Sequence, residues 1–392
     1  MNCMKKIIIW LFGIFNFVFC FAQVQNSDSL RFSLLTCAPG SQIYELFGHT
    51  AIRCQNFTRS TDLVFNYGLF DFDAPNFEYR FAKGQADYQL GINSMQGFKY
   101  SYARRGSTVY EQELNLTTEE KVELQRLLFV NYQPENRVYR YNYFYNNCTT
   151  CARDQIERAI HGRVVYPEGK SGKSFRSIVH ECSANMPWDR LGMDLLLGAE
   201  ADKEIDNRLQ MFAPFYMRDF ASKAVIESPD GSRRPLVVQE TRVVDVQPHP
   251  IESGFYLSPM TCAVFFLLVN LLIAYLQIKR RHIYLGWDIL LYGVQGLAGS
   301  IIAFLFFFSD QPTVGSNWVI GILHPLAFLF IPWTIRRVKK GGKDYFSWVN
   351  TVYLTFFIIS IPFIPQDFNL TILPLTLGLL VNAASHVLAT RK

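Results

Sequence analysis

The chain has 392 residues, of which 49% are hydrophobic and 15% aromatic, including 34 Phe and 20 Tyr. This apolar content is high for a soluble enzyme, and two long apolar regions at the ends of the chain account for it. The formal net charge is +5, but ten of the 38 Lys and Arg lie in short loops near the C-terminus and at the C-terminus itself, in groups of three, five and two. The charge therefore does not indicate a nucleic-acid-binding protein.

The N-terminus has the features of a cleaved secretory signal. Two lysines precede the uncharged apolar run IIIWLFGIFNFVFCFA. A positive start, an apolar stretch and a small residue at the cleavage point are the parts of such a signal. A lipoprotein signal would need a small residue directly before the cysteine, whereas Phe19 precedes Cys20. We predict that residues 1–22 are removed and that the following domain is exported.

Residues 23–225 have the pattern of a mixed α+β domain that is large enough to fold without disulfides. Alternating or β-rich runs predict five strands, and the second and third of these form a hairpin. The predicted strands cover 30–40 with its turn, 49–56, 62–70, 107–116 and 139–145.

Two helices of this domain are predicted from their capping residues. Thr117 and Glu120 have capping-box spacing before a helical apolar pattern that runs to residue 132. A second helix follows the good caps Asn146 and Asn147 and ends at Gly162.

The rest of the chain is expected to form a connector and a membrane domain. Residues 226–256 contain SPDGSRRP and QPHPIESG, whose turn dipeptides and prolines predict a hairpin and a tether rather than part of a core. In the membrane domain, 257–392, five apolar segments have the length of about 20 residues that crosses a bilayer. They cover 258–278, 285–308, 318–335, 346–364 and 369–388.

The loops between these segments predict their orientation. KRRH, RRVKKGGKDY and the C-terminal Arg391 and Lys392 contain all the Lys and Arg, whereas SDQPTVGSN and PQDFN contain none. Positively charged loops stay in the cytoplasm. We expect a multi-pass protein of the bacterial inner membrane, with its soluble domain on the periplasmic side and its C-terminus in the cytoplasm.

The candidate nucleophile is Cys148, in the sequence NNCTTC where a predicted strand is followed by a helix. Backbone N–H groups and the positive end of the helix dipole at the first turn favour a thiolate. Cys151 lies one turn further along, on nearly the same face, and is expected to pack within the domain.

Three other interpretations of the two cysteines remain open at this stage. A redox pair of the thioredoxin type also begins a helix, but the residues between the cysteines are Thr149 and Thr150, without the usual Trp or Pro nearby. A zinc half-site needs a second Cys/His pair, and His161 and His180 are isolated. A structural disulfide or buried thiols would leave at least one of the five cysteines of the domain unpaired.

A nucleophilic cysteine needs a base, and His49 is the best candidate. It follows a glycine and begins a predicted strand, from which its ring can face a cleft. His161 lies about 20 Å along the helix from Cys148 and cannot reach it. His180 has no informative context.

Further groups are expected to support this pair. Asn66, on the second strand of the hairpin, is the candidate for orienting the imidazole, and Glu45 is its competitor. The oxyanion donors would be the backbone N–H of Cys148 and a nearby polar group such as Asn147.

The order of these motifs resembles that of a known superfamily. A strand histidine, a polar residue on the next strand and a helix-opening cysteine, here GHTAIR, VFNYG and NNCTT, are similar to the circularly permuted NlpC-type papain-like proteins. Four longer segments, followed by the five membrane segments, resemble the Lnb-type lipoprotein N-acyltransferases. These segments are LLTCAPGSQIYELFGHTAIR, FNYGLFDFDAPNFEYRFAKGQADYQLG, PENRVYRYNYFYNNCTTCARDQIE and WDRLGMDLLLGAEADKEI.

The resemblance implies an α+β papain-like exported domain followed by an all-α five-helix transmembrane domain. It implies that Cys148 and His49 move an acyl chain from the diacylglyceryl group of a lipoprotein to the α-amine of its N-terminal cysteine, through a thioester. The expected partners are lipoproteins and membrane lipid, with no cofactor, no metal and no nucleic acid. The residues alone leave two other functions open: a membrane-tethered cysteine peptidase or amidase acting on the cell wall, and a non-catalytic scaffold or sensor.

Overall fold

The computed structural model describes residues 29–71, 73–169, 172–247, 257–341 and 344–389. The predicted signal at 1–22 lies outside these described residues. A sheet-rich domain comes first along the chain and five apolar helical segments follow it, as the sequence predicts.

The strands of the soluble domain are β1 Leu30–Cys37, β2 His49–Asn56, β3 Thr61–Leu69, β4 Asp87–Ser94, β5 Val109–Leu114, β6 Val138–Arg140, β7 Arg163–Val165, β8 Val225–Glu227, β9 Arg233–Pro235 and β10 Val237–Val244. Its helices are α1 Phe77–Ala82, α2 Met95–Arg105, α3 Thr118–Tyr132, α4 Cys148–Ala159, α5 Phe175–Cys182, α6 Pro187–Leu196, α7 Asn207–Gln210 and α8 Pro214–Lys223. The helices of the membrane domain are α9 Pro259–Arg280, α10 Leu285–Phe308, α11 Leu326–Lys339, α12 Tyr345–Ser360 and α13 Ile372–Ala389.

Within the described residues, seven strands form one sheet in the order β10-β5-β1-β2-β3-β4-β6, in which every pair is antiparallel. The predicted hairpin is the β2–β3 pair, with Ile52 opposite Phe65. The register places His49 at the start of β2, opposite Cys37 at the end of β1. The end of the sheet where β2 begins is therefore where a side chain from another element can meet His49.

Two expectations about this domain are wrong. The strand predicted over 139–145 ends at Arg140, because the side chain of Asn142 accepts hydrogen bonds from the backbone N–H groups of Phe144 and Tyr145 and bends the chain. Part of the expected connector, 226–256, belongs to the sheets of this domain, and the expected tether QPHPIESG lies outside the described residues from residue 248 on. The expected hairpin joins β8 to β9, but the alternating run after it forms β10, which pairs with β5 and becomes the edge of the main sheet.

Helix α4 packs on strands β2 and β3 and on helix α3. Its apolar face places Ala152, Ile156 and Ala159 in the core, where all three are fully buried. At its first turn the hydroxyls of Thr149 and Thr50 lie 3.1 Å apart. This contact joins the start of the helix to the start of β2.

The membrane domain contains five segments long and apolar enough to span a bilayer, among the residues that the structure describes. They are Pro259–Arg280, Leu285–Phe308, Trp318–Lys339, Tyr345–Phe363 and Ile372–Ala389. Four are close to the predicted segments throughout. The third is interrupted, because a short 3₁₀ helix at Trp318–Gly321 ends before α11 begins.

Two loops of the membrane domain contact the soluble domain. In the loop after α10, the hydroxyl of Ser309 donates to the carbonyl of Ala82 at 2.7 Å, and the amide of Asn317 donates to the carbonyl of Leu195 at 2.7 Å. In the loop before α13, the amide of Asn369 donates to a carboxylate oxygen of Asp194 at 2.8 Å. Both loops are among those without Lys or Arg.

Candidate active site

Cys148 is the first residue of α4, as the caps in the sequence predict. The side-chain oxygen of Asn147 accepts hydrogen bonds from the backbone N–H groups of Thr149 at 2.9 Å and Thr150 at 3.0 Å. This cap fixes where the helix begins and therefore the direction of the Cys148 side chain. The thiol lies at the positive end of the helix dipole, which favours its anion.

His49 and Asn66 meet as the sequence predicts. Nε2 of His49 lies 3.2 Å from Oδ1 of Asn66, which is only 4% exposed. The amide nitrogen of Asn66 donates to Oδ1 of Asn93 at 2.7 Å, so its oxygen must face the imidazole. Nε2 of His49 is therefore the donor in this contact, which leaves Nδ1 for Cys148.

The electrostatics of the pair favour an ionised thiol. Burial by itself raises the pKa of Cys148, but the charge and hydrogen bond of His49, with smaller contributions from the backbone of Thr50 and the hydroxyl of Thr149, lower it to about 7. Burial lowers the pKa of His49, and the negative charge and hydrogen bond of Cys148 and the contact with Asn66 more than offset this and raise it. Each group thus stabilises the charged form of the other.

The other thiols of the soluble domain behave differently. Burial raises the pKa of Cys54, Cys151 and Cys182 to about 12, and that of Cys37 further still. Cys151 packs beside the main core, and its thiol contacts the side-chain oxygen of Asn146 at 3.2 Å. The six cysteines that the structure describes are all free thiols, and no group of three or more His, Cys, Asp or Glu among the described residues could hold a metal ion.

The two remaining histidines of the soluble domain have other partners. The backbone N–H of His161 donates to Glu120 at 3.0 Å, at the far end of α4 from Cys148. Nε2 of His180 lies 2.7 Å from Oδ1 of Asp194, a residue that also binds the buried guanidinium of Arg176. Neither histidine lines the cavities beside Cys148.

The expected oxyanion role of Asn147 is wrong. Its amide nitrogen donates to the carbonyl of Tyr143 at 2.8 Å and to that of Phe212 at 2.9 Å. Both amide hydrogens are therefore used, and its oxygen caps α4. Asn147 positions the nucleophile and has no donor left for a substrate.

Glu45 does not orient the imidazole. Its carboxylate lies 3.2 Å from the guanidinium of Arg105, and the group on Nε2 of His49 is Asn66. Glu45 and Arg105 instead form part of the wall of a cavity beside the histidine. The competition between Asn66 and Glu45 for the imidazole is thus decided for Asn66.

Two adjoining cavities flank His49. The one that contains Cys148 has a volume of about 110 Å³, and the other, of about 360 Å³, extends past Asn66 to Glu45 and Arg105. Half of the residues that line the cavity beside the sulfur are Phe or Tyr, namely Tyr44, Phe47, Phe70, Tyr88, Tyr141, Tyr143 and Phe212. An apolar group fits beside the sulfur, and a polar group fits on the far side of the histidine.

Two further residues of this site have no local sequence signal that predicts their role. Asn93 lies on β4, a strand whose sequence DYQLGINS contains several poor strand formers, so no strand was predicted there. Gly68 adopts a φ of +92°, and a Cβ on it would lie 3.5 Å from Cβ of Cys148. A glycine at this position gives the backbone its left-handed conformation and leaves space beside the nucleophile.

Comparison with known proteins places both domains. The family described as the Lnb N-terminal periplasmic domain matches residues 21–175, and the family described as the Lnb transmembrane domain matches residues 250–392. No curated protein and no solved structure matches the chain significantly. The two family matches cover the cysteine–histidine site and all five spans, and they indicate a multi-pass membrane protein with a periplasmic domain that takes part in lipoprotein modification. The chain belongs to the Lnb family.

Proposed function

We propose that this protein is a lipoprotein N-acyltransferase in which Cys148 carries the acyl chain as a thioester. The observation that carries the proposal is the Cys148–His49–Asn66 arrangement, with the pKa of the thiol lowered to about 7, in an aromatic cavity. The donor is an acyl ester of the diacylglyceryl group of a lipoprotein, and the acceptor is the α-amine of its N-terminal cysteine. Attachment to five membrane spans keeps the site beside substrates that are anchored in lipid.

In the first step the thiolate of Cys148 attacks the carbonyl carbon of the ester. The backbone N–H of Cys148, at the first turn of α4, is available to the developing oxyanion because a first-turn N–H has no acceptor within its own helix. The carbon–oxygen bond of the ester then breaks. The imidazolium of His49 gives its proton to the departing glyceryl oxygen, which leaves as an alcohol.

In the second step the α-amine attacks the carbonyl carbon of the thioester. Neutral His49 takes a proton from the amine, the carbon–sulfur bond breaks, and the sulfur departs as the thiolate. Asn66 accepts a hydrogen bond from Nε2 of His49 throughout, which keeps the other ring nitrogen directed at the reacting groups. The product is an amide, and Cys148 and His49 return to their starting charges.

We also propose the permuted papain-like arrangement for the soluble domain. A histidine that begins one strand, an asparagine on the neighbouring strand and a cysteine at the start of a later helix form the site in this chain order. Histidine and cysteine thus occur in the reverse of papain's order, on a strand and a helix that pack together.

We propose that the protein lies in the bacterial inner membrane with its C-terminus in the cytoplasm. The loops after α10 and before α13 bind the soluble domain, which supports their position on the periplasmic side. From there, an odd number of spans leads to a cytoplasmic C-terminus. The basic loops then lie where positive charge is retained.

The decisive experiment is to trap the acyl-enzyme. Full-length protein is incubated with diacylated lipoprotein and quenched, and the Cys148 peptide is analysed by mass spectrometry with and without hydroxylamine. We expect an acyl mass that hydroxylamine removes, and lipoprotein N-termini that gain an amide-linked acyl chain only when the protein is present. Cys151→Ser is the matched control and should form the same adduct.

Two results would contradict this function. Absence of the adduct together with equal inactivity of Cys151→Ser and Cys148→Ser would favour a redox role for the two thiols. Unchanged lipoprotein N-termini with altered peptidoglycan in a deletion strain would indicate a cell-wall peptidase or amidase.

A further inference from the structure

Helix α1 lies where the soluble domain meets the membrane domain. The carbonyl of Ala82, its last residue, accepts a hydrogen bond from Ser309, directly after the end of α10. The carbonyl of Lys83 accepts one from the backbone N–H of Asp310 at 2.8 Å. These bonds hold α1 beside the end of α10, one of the five segments that are long and apolar enough to span a bilayer.

The side chains of α1 at this level are aromatic and poorly covered. Tyr79 is 55% exposed and Phe81 is 45% exposed. Tyr79 contacts Phe304 of α10, with ring centroids 5.8 Å apart. Large exposed aromatic groups beside a membrane span are typical of a surface that lies in the interfacial region of a bilayer.

From Phe81, aromatic contacts lead toward the nucleophile. Phe81 stacks on Phe77, and Phe77 stacks on Phe70 with ring centroids 5.8 Å apart. Phe70 in turn lies 4.9 Å from Tyr88, and both residues line the cavity that contains the Cys148 thiol. A series of aromatic contacts therefore connects Phe81 on α1 with the cavity at Cys148, and within this series Phe77 and Tyr88 are buried and Phe70 is partly exposed.

We propose that α1 is the entry surface for the acyl chain of the substrate, which crosses Tyr79 and Phe81 on its way from the bilayer to Cys148. The occupant is an acyl chain of the diacylglyceryl group of the lipoprotein, so this inference rests on the proposed function. An acyl chain that leaves the bilayer without such a surface would expose its methylenes to water, which is unfavourable. The exposed rings of Tyr79 and Phe81 reduce this exposure, and the aromatic contacts that lead from Phe81 to Phe70 suit an acyl chain better than the lipoprotein's peptide.

The first test is kinetic and uses full-length protein in lipid nanodiscs. Tyr79→Ser combined with Phe81→Ser should raise KM for a diacylated lipopeptide by about tenfold or more, since apolar contact with the chain is lost. In the same double variant, iodoacetamide should alkylate Cys148 at the wild-type rate, because this reagent needs no route from the bilayer. Tyr100→Ser is the matched control, because Tyr100 is 67% exposed on α2 and lines neither cavity of the site. An unchanged KM in the double variant would overturn the inference.

The second test measures contact without turnover. Cys148→Ala protein in nanodiscs is irradiated with a diacylated lipopeptide that carries a diazirine on its acyl chain, or with a phospholipid that carries the same label at the same concentration. We expect the lipopeptide to label the 77–82 segment more strongly than the phospholipid. Equal labelling by the two probes would show ordinary membrane contact and would overturn the entry role of α1. Strong labelling by the lipopeptide with no acyl-enzyme in the wild-type protein would refute the proposed function but leave α1 as a binding surface for the acyl chain.

Discussion

Replacement of His49 by glutamine should abolish the ionisation of Cys148 at neutral pH. The pKa of Cys148 is about 7, compared with an ordinary value of 9.0, and the principal lowering contributions are the charge and hydrogen bond of His49. Two pKa units correspond to about 2.7 kcal/mol in favour of the thiolate. Glutamine keeps a polar group but removes the positive charge, so burial is left to act in the opposite direction and the pKa should exceed 9.

The magnitude at pH 7 follows from these values. A thiol with a pKa of about 7 is half ionised at that pH, whereas a thiol with a pKa of about 9 is ionised to roughly 1%. Alkylation follows the thiolate fraction. It should therefore slow by about 50-fold or more in His49→Gln, and the loss should diminish as the pH rises.

The assay is the rate of iodoacetamide modification of the Cys148 peptide between pH 5 and 10, measured by mass spectrometry on the full-length protein. In the wild-type protein the rate should fall about tenfold per unit as the pH drops below 7, because protonation removes the nucleophile. Cys151 lies on the same peptide and is distinguished from Cys148 by fragmentation; it is an internal control and should stay unmodified near neutrality, since burial raises its pKa to about 12. A midpoint that remains near 7 in His49→Gln would refute the reasoning and assign the effect to the helix N-terminus.

Three further outcomes are expected. Cys148→Ser should lower acyl transfer by at least about 10³-fold, because an alkoxide is much harder to form than a thiolate, while Cys151→Ser should keep most of the activity in the same assay. Thr117→Ala should remove the capping box of α3 and lower the free energy of unfolding by about 1 kcal/mol, seen as a lower midpoint in thermal unfolding of the full-length protein; an unchanged midpoint would contradict this. A topology reporter fused after Lys392 should indicate a cytoplasmic position, and one inserted within 309–317 should indicate a periplasmic position. A periplasmic C-terminus would disprove the proposed topology.

Several local features of the fold could be predicted because each depends on residues close together in the chain. The spans follow from the length of apolar runs, and α3 follows from its capping box. The position of Cys148 at the start of α4 follows from Asn147, whose side chain caps the residues directly after it. Local hydrogen bonding and apolar length act in the same way in any fold, so the sequence alone is sufficient for them.

The role of Asn147 could not be predicted for the opposite reason. An asparagine at this position suits an oxyanion donor as well as it suits a helix cap. Only the hydrogen bond from its amide nitrogen to the carbonyl of Phe212, 65 residues away, shows that no donor is left for an oxyanion. The contact between Asn66 and Asn93 likewise depends on the pairing of β3 with β4. Long-range partners of this kind leave no mark on the local sequence.

The sequence by itself determined that a soluble domain precedes five apolar spans and that a cysteine lies at a helix N-terminus. Only the tertiary structure decided that His49 reaches this cysteine, because the distance between them depends on how α4 packs across β2 and β3. It also decided that β10 closes the edge of the sheet and that α1 lies against the end of α10. The physical reason is that helix ends and membrane spans depend on interactions between residues close together in the chain. An active site and an interdomain surface depend instead on which distant segments bury their apolar faces against each other.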